Sequence, residues 1–73
     1  RVLLKCNAPA KTLDKVVKAM PAINSPTVNK LHDADWYAVE SVVEERKVRD
    51  IIPQLKAAGA TGIIELPLNK IIF

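Results

Sequence analysis

Thr27-Val28-Asn29-Lys30-Leu31-His32, the connection Asp33-Ala34-Asp35 and the run Trp36-Tyr37-Ala38-Val39-Glu40-Ser41-Val42-Val43 form the stretch that decides how the rest of the chain is read. Trp36 to Val43 is the strongest strand pattern present, dense in β-branched and aromatic residues, and the tight polar connection before it makes a hairpin of two strands. Successive strand side chains point to opposite faces. Tyr37, Val39, Ser41 and Val43 therefore share one face, and Trp36, Ala38, Glu40 and Val42 the other. Both faces carry apolar groups, and helices can cover only one of them. The second face is expected to meet something else, most economically another copy of the chain.

Upstream of the hairpin, Arg1 to Asn7 alternates with Val2, Leu4 and Cys6 on one side and Leu3, Lys5 and Asn7 on the other, the period of a strand. Pro9 ends it and suits the first turn of a helix, where its missing N–H costs nothing. Leu13, Val16, Val17 and Met20 follow at helical spacing as one apolar stripe, with Lys11, Asp14, Lys15 and Lys18 turned to water, and Pro21 marks the stop. Downstream, Glu44 and Glu45 favour the positive end of a helix dipole. Val48, Ile51, Ile52, Leu55 and Ala58 repeat as a helix face, closed by Gly59. Pro53 interrupts this helix at a cost of about 3 kcal/mol if truly interior, which predicts a kink or a helix that restarts near Asp50. Thr61 to Leu66 reads as a last strand stopped by Pro67, and 69–73 as a short tail with room to add an edge segment.

The order β-α-β-β-α-β is the ferredoxin-like split βαβ pattern, an α+β fold. Its antiparallel sheet has strand order 4-1-3-2, with both helices on one face. The open face then carries Leu3, Lys5, Asn7, Trp36, Ala38, Glu40, Val42, Ile63 and Glu65, a mixture of apolar and charged groups suited to an oligomer interface. Lys5 is expected within ion-pair reach of Glu40 or Glu65.

At 73 residues the chain reads as a single domain, 1–73. A chain that short buries only about 60% of the surface its unfolded form exposes. With 49% hydrophobic residues but one Trp, one Tyr and one Phe, the core must be built from Val, Ile, Leu and Ala. Arg1 enters a strand pattern at once, the look of a domain excised from something longer. The net charge of +3, from 11 basic and 8 acidic residues, is spread over both helices and the strand ends, which argues against nucleic acid as partner. A lone Cys6 makes no internal disulfide, so a reducing cytoplasmic compartment is the simple inference. No apolar run reaches bilayer-spanning length, which argues against a membrane partner.

Catalytic constellations are sparse. His32, the only histidine, is flanked by Asp33 and Asp35 but lacks further metal ligands and reads as a solvated turn. Cys6 reads as a core thiol. Gly59 and Gly62 are the only glycines, so no phosphate-cradling loop exists. Glu40 and Glu65 as an acid and base pair give way to a structural ion-pair network around Lys5. The turn-rich stretch Pro21-Ala22-Ile23-Asn24-Ser25-Pro26-Thr27-Val28 keeps two readings: an ordinary helix-to-strand connection, or a loop whose fixed polar groups grip a small ligand.

Leu4-Lys5-Cys6-Asn7-Ala8-Pro9, Ser25-Pro26-Thr27-Val28, Asp33 to Val39, and Leu55-Lys56-Ala57-Ala58-Gly59-Ala60-Thr61-Gly62-Ile63-Ile64 followed by Leu66-Pro67 together resemble the C-terminal regulatory domain of long-form ATP phosphoribosyltransferase, over essentially the whole chain. That enzyme joins ATP and phosphoribosyl pyrophosphate, with magnesium, in the first step of histidine biosynthesis. The resemblance implies catalytic domains that precede this one and a domain that is itself non-catalytic, without cofactor. It further implies packing about a threefold axis, within hexamers, and feedback inhibition by L-histidine bound between copies. The implied histidine-binding positions are Asn7, Ile23, Ser25, Thr27, Gly62 and Ile64. Asn7 can accept from an ammonium, Thr27 and loop amides can donate to a carboxylate, and Gly62 leaves space for close approach. Some relatives carry Asp where this chain has Asn7.

A rival reading is a free-standing trimeric signalling or structural module of the same fold that binds no histidine. An RNA-binding sheet ranks last, since it calls for several exposed aromatics on the central strands and only Trp36 qualifies.

Overall fold

The structure, a computed structural model, describes residues 1–21, 25–32 and 35–69. Four strands, β1 (Val2–Pro9), β2 (Thr27–Lys30), β3 (Trp36–Val43) and β4 (Thr61–Pro67), and two helices, α1 (Leu13–Ala19) and α2 (Val48–Ala57), follow in the order β1-α1-β2-β3-α2-β4. The sheet order is β2-β3-β1-β4 and every neighbouring pair is antiparallel. This is the expected ferredoxin-like arrangement, its order 4-1-3-2 read from the other edge.

Alternation in β1 sets the core. Val2, Leu4, Cys6 and Ala8 are all buried while Leu3, Lys5, Asn7 and Pro9 between them are half-buried. Val16 and Met20 of the first helical segment, Val48, Ile51 and Leu55 of α2, Val39 and Val43 of β3, and Ala60 before β4 complete one cluster with them. The helices thus cover a single face, and the apolar stripes legible in the sequence are the surfaces they bury.

Both helices begin through a 3₁₀ turn, Ala10–Thr12 before α1 and Glu45–Lys47 before α2. Pro9 therefore closes β1 in an extended conformation, φ −68° and ψ 147°, instead of opening a helix. Met20 is likewise extended, as the residue before a proline prefers, and α1 ends there. Contrary to the expected restart near Asp50, α2 starts at Val48 and continues unbroken through Pro53. Pro53 lies less than two turns in and on the exposed side, where the carbonyl it leaves without a donor can reach water. At the other end Gly59 takes φ 95°, its N–H bonds the Lys56 carbonyl at 3.0 Å and the Ala60 N–H bonds the Leu55 carbonyl at 2.9 Å. These two bonds are a complete Schellman stop.

β2 is shorter than the expected span to His32, ending at Lys30, although the Leu31 N–H still bonds the Trp36 carbonyl at 3.0 Å. The tail beyond Asn69 lies outside the described residues.

One phase expectation fails. Opposite β1, Asn7 pairs with Thr61 but Lys5 pairs with Ile64, so three steps on β4 match two on β1. The extra residue sits beside Gly62, which holds φ 58°, the left-handed conformation that a glycine bulge uses. Ile64 and Leu66 consequently share the open face with Lys5 and Leu3, their partners, and are 46% and 45% exposed. Ile63 instead packs against the core, and Glu65 pairs with buried Leu4 on the helix side. Both were expected on the open face, and the bulge moves them off it.

Candidate functional site

The open face is a grid of rows running across the strands. Thr27 pairs with Glu40, Glu40 with Lys5, and Lys5 with Ile64, one row spanning all four strands. The adjacent row holds Asn29, Ala38, Asn7 and Thr61. Apolar groups flank these polar rows, Val42, Leu3 and Leu66 on one side and Trp36 with Pro9 on the other.

Within this grid, three of the residues implied as histidine ligands come together at the β1–β4 border. Asn7 is half-buried, Gly62 lies against it, and a Cβ at Gly62 would stand 3.3 Å from Asn7 Nδ2. Ile64 is one row further along the same face. The absent side chain at Gly62 leaves room beside Asn7 Nδ2.

Ser25 and Thr27, both exposed, sit at the opposite edge, where β2 begins. Ile23 lies outside the described residues. Neighbouring strands are about 4.8 Å apart, so three strand gaps place Thr27 about 14 Å from Ile64 within one copy. No single amino acid bridges that width.

Lys5 and Glu40 are direct cross-strand partners, but no ion pair closes between them. Glu65, the other expected partner of Lys5, borders a shallow hollow of about 700 Å³ on the helix side with Arg46, Arg49, Asp50 and Ile52. An ion pair between Arg1 Nε and Glu44 Oε1, at 3.3 Å, lies at the domain's end and is exposed. Burial pushes the Cys6 thiol above its ordinary pKa, which keeps it protonated and unreactive.

Two features escaped the sequence reading. A cleft of about 400 Å³ lined by Pro9, Ala10, Lys11, Asp35 and Trp36 opens at the Trp36 end of the sheet, where the Ala10 N–H bonds the Asp35 carbonyl at 2.7 Å. The Ser41 hydroxyl, on the buried face of β3, donates to the Pro21 carbonyl at 3.3 Å. A small hydroxyl between Val39 and Val43 on one strand face was the signal for the second; the first depends on how the end of β1 meets the start of β3 and leaves no mark in the sequence. Among the described residues no three His, Cys, Asp or Glu side chains gather as a metal site, and no helix is long and apolar enough to cross a membrane.

A four-stranded antiparallel sheet with helices on one face and an open, mixed polar and apolar grid on the other defines a ferredoxin-like α+β domain. Residues 1–70 match the family described as HisG, C-terminal domain, and the chain belongs to that family. Its relatives include three proteins named ATP phosphoribosyltransferase. The one from Nitratidesulfovibrio vulgaris (strain DSM 19637 / Miyazaki F) is 61% identical over 69 residues, covering 94% of this chain and 24% of the relative. That from Desulfosudis oleivorans is 55% identical over 69 residues, with the same coverage of 94% and 24%. That from Thermodesulfovibrio yellowstonii is 49% identical over 72 residues, covering 99% and 25%. The chain thus spans about a quarter of the length of the relatives it matches.

Proposed function

We propose that this chain is the allosteric regulatory domain of a cytoplasmic ATP phosphoribosyltransferase, binding L-histidine as feedback inhibitor at the boundary between copies. Family membership supports the enzyme context. The observation that carries the shared site is the separation of Thr27 from Asn7, Gly62 and Ile64 across the open face. Groups chemically suited to one amino acid stand at opposite edges of one sheet, and a second copy laid against that face brings them together. Ser25 and Thr27 of one copy then meet the ligand's carboxylate, while Asn7 of the neighbour accepts from its ammonium and Ile64 walls its ring.

The interface consists of the open-face residues Leu3, Lys5, Trp36, Ala38, Glu40 and Val42, joined by Ile64 and Leu66. Histidine that binds only the assembled form stabilises it in proportion to its concentration, which is the physical content of allosteric control here. On this reading magnesium, ATP and phosphoribosyl pyrophosphate belong to the catalytic domains of the longer enzyme.

Calorimetric titration with L-histidine, paired with sedimentation of the same sample, tests the reading. Saturable binding by an oligomer that dissociates when histidine is withdrawn or the face is charged is expected. An intact oligomer indifferent to histidine would leave the histidine-free structural module as the better account.

A further inference from the structure

Among the described residues Ser41 is the polar side chain that the core buries, 7% exposed. A hydroxyl there is costly unless bonded, and the apolar neighbours would be served better by Ala or Val. Its bond to the Pro21 carbonyl, at 3.3 Å, accounts for it; the hydroxyl also lies 3.4 Å from the Val42 carbonyl. Pro21 is where the chain leaves the first helical segment after Met20. The preceding residue of β3, Glu40, is the ladder partner of Thr27. One strand therefore holds both ends of the stretch from Pro21 to Thr27, from the helix side through Ser41 and from the sheet edge through Glu40.

We infer that Ser41 is a positioning residue for the ligand site: by fixing where the chain departs toward β2, it sets how Ser25 and Thr27 are delivered to the open face. The inference rests on the proposal that Thr27 meets the ligand. Ser41 itself faces the helices and touches no ligand. Because Pro21 is exposed, water can take over its carbonyl when the hydroxyl is removed. The loss then falls on the placement of Pro21 and of the start of β2, and little on the fold.

Ser41→Ala and Ser41→Thr, compared with the unaltered chain, test this by three measurements: amide hydrogen exchange over residues 21–28, the urea midpoint, and L-histidine affinity. Ser41→Ala is expected to speed exchange over 21–28 by about threefold to tenfold and to weaken histidine binding by a similar factor, the size of one hydrogen bond. Exchange in β1 and the urea midpoint stay unchanged, and Ser41→Thr, which keeps a hydroxyl, restores both readouts. Unaltered exchange over 21–28 in Ser41→Ala, or a uniform loss of protection with a lowered midpoint, would overturn the inference. Absence of histidine binding by the unaltered chain would instead count against the proposed function, with the exchange comparison still deciding the role of Ser41.

Discussion

Asn7 and Gly62 meet where the β1–β4 ladder slips by one residue, and a Cβ added to Gly62 would stand 3.3 Å from Asn7 Nδ2. Gly62 also holds φ 58°, so a side chain there is disfavoured by backbone conformation as well as by space. Gly62→Ala is expected to cost about 1 to 2 kcal/mol through the left-handed conformation alone. It should weaken histidine binding further by displacing Asn7. A urea titration checks the first effect and calorimetry the second; a variant as stable as its parent would mean that the bulge closes without this conformation.

Asn7→Asp replaces the neutral acceptor proposed for the ligand's ammonium with a charged one of similar reach. Charge-assisted bonds are roughly twice as strong as neutral ones, so L-histidine affinity is expected to rise about tenfold. The gain should shrink as pH falls below the carboxylate range. Affinity that is unchanged or lower would remove Asn7 from the ammonium position.

Ile63 and Ile64 are neighbours with opposite fates, one packed on the core and the other exposed beside Lys5. Ile63→Ala is expected to destabilise the dispersed chain by about 1 to 2 kcal/mol, less than a full core truncation because the site is half-buried. Ile64→Ala, measured at the same dilution, should stay within about 0.5 kcal/mol of the parent. Ile64→Lys should weaken self-association. The reverse ranking of the two alanine variants would restore the phase in which Ile63 faces outward.

That phase shows where sequence reading ends. Strict alternation made the faces of β1 and β3 legible, and Gly59 announced its helix stop because few other residues adopt the conformation a Schellman turn needs. A period-2 reading of β4 carries no information about an inserted residue, since Gly62 fits a regular strand pattern as well as a bulge. The 3₁₀ turns were equally hidden: Pro9 and Glu44 suit the start of either kind of helix. Of the candidate site, Asn7, Gly62 and Ile64 lie together on β1 and β4, whereas Ser41 bonds a backbone carbonyl 20 residues away in sequence, a contact that strand alternation does not reveal.

Cys6 is fully buried between the helices and the sheet, and its raised pKa follows from desolvation of the thiolate. The unfolded chain therefore gives up this proton first. The stability tied to the protonated thiol is complete below the ordinary thiol pKa and is lost as pH climbs through the raised folded value. Alkylation by iodoacetamide at mildly alkaline pH should proceed only as fast as the chain opens, and accelerate with added urea. Rapid modification of the folded chain would show that the core admits reagent at β1.

The proposed site between copies can be tested by mixing two defective chains. Thr27→Val removes the hydroxyl proposed to meet the carboxylate and is expected to cost about 1.5 to 3 kcal/mol of histidine binding. Asn7→Ala removes the acceptor proposed for the ammonium. If each site takes Thr27 from one copy and Asn7 from its neighbour, equimolar mixing and reassembly of the two variants should regenerate about a quarter of the sites intact, by random placement around a closed ring. A titration of the mixture with L-histidine should then recover that fraction at parental affinity. Recovery of no high-affinity sites from fully mixed oligomers would contradict the account, because it would place Thr27 and Asn7 in the same copy's site.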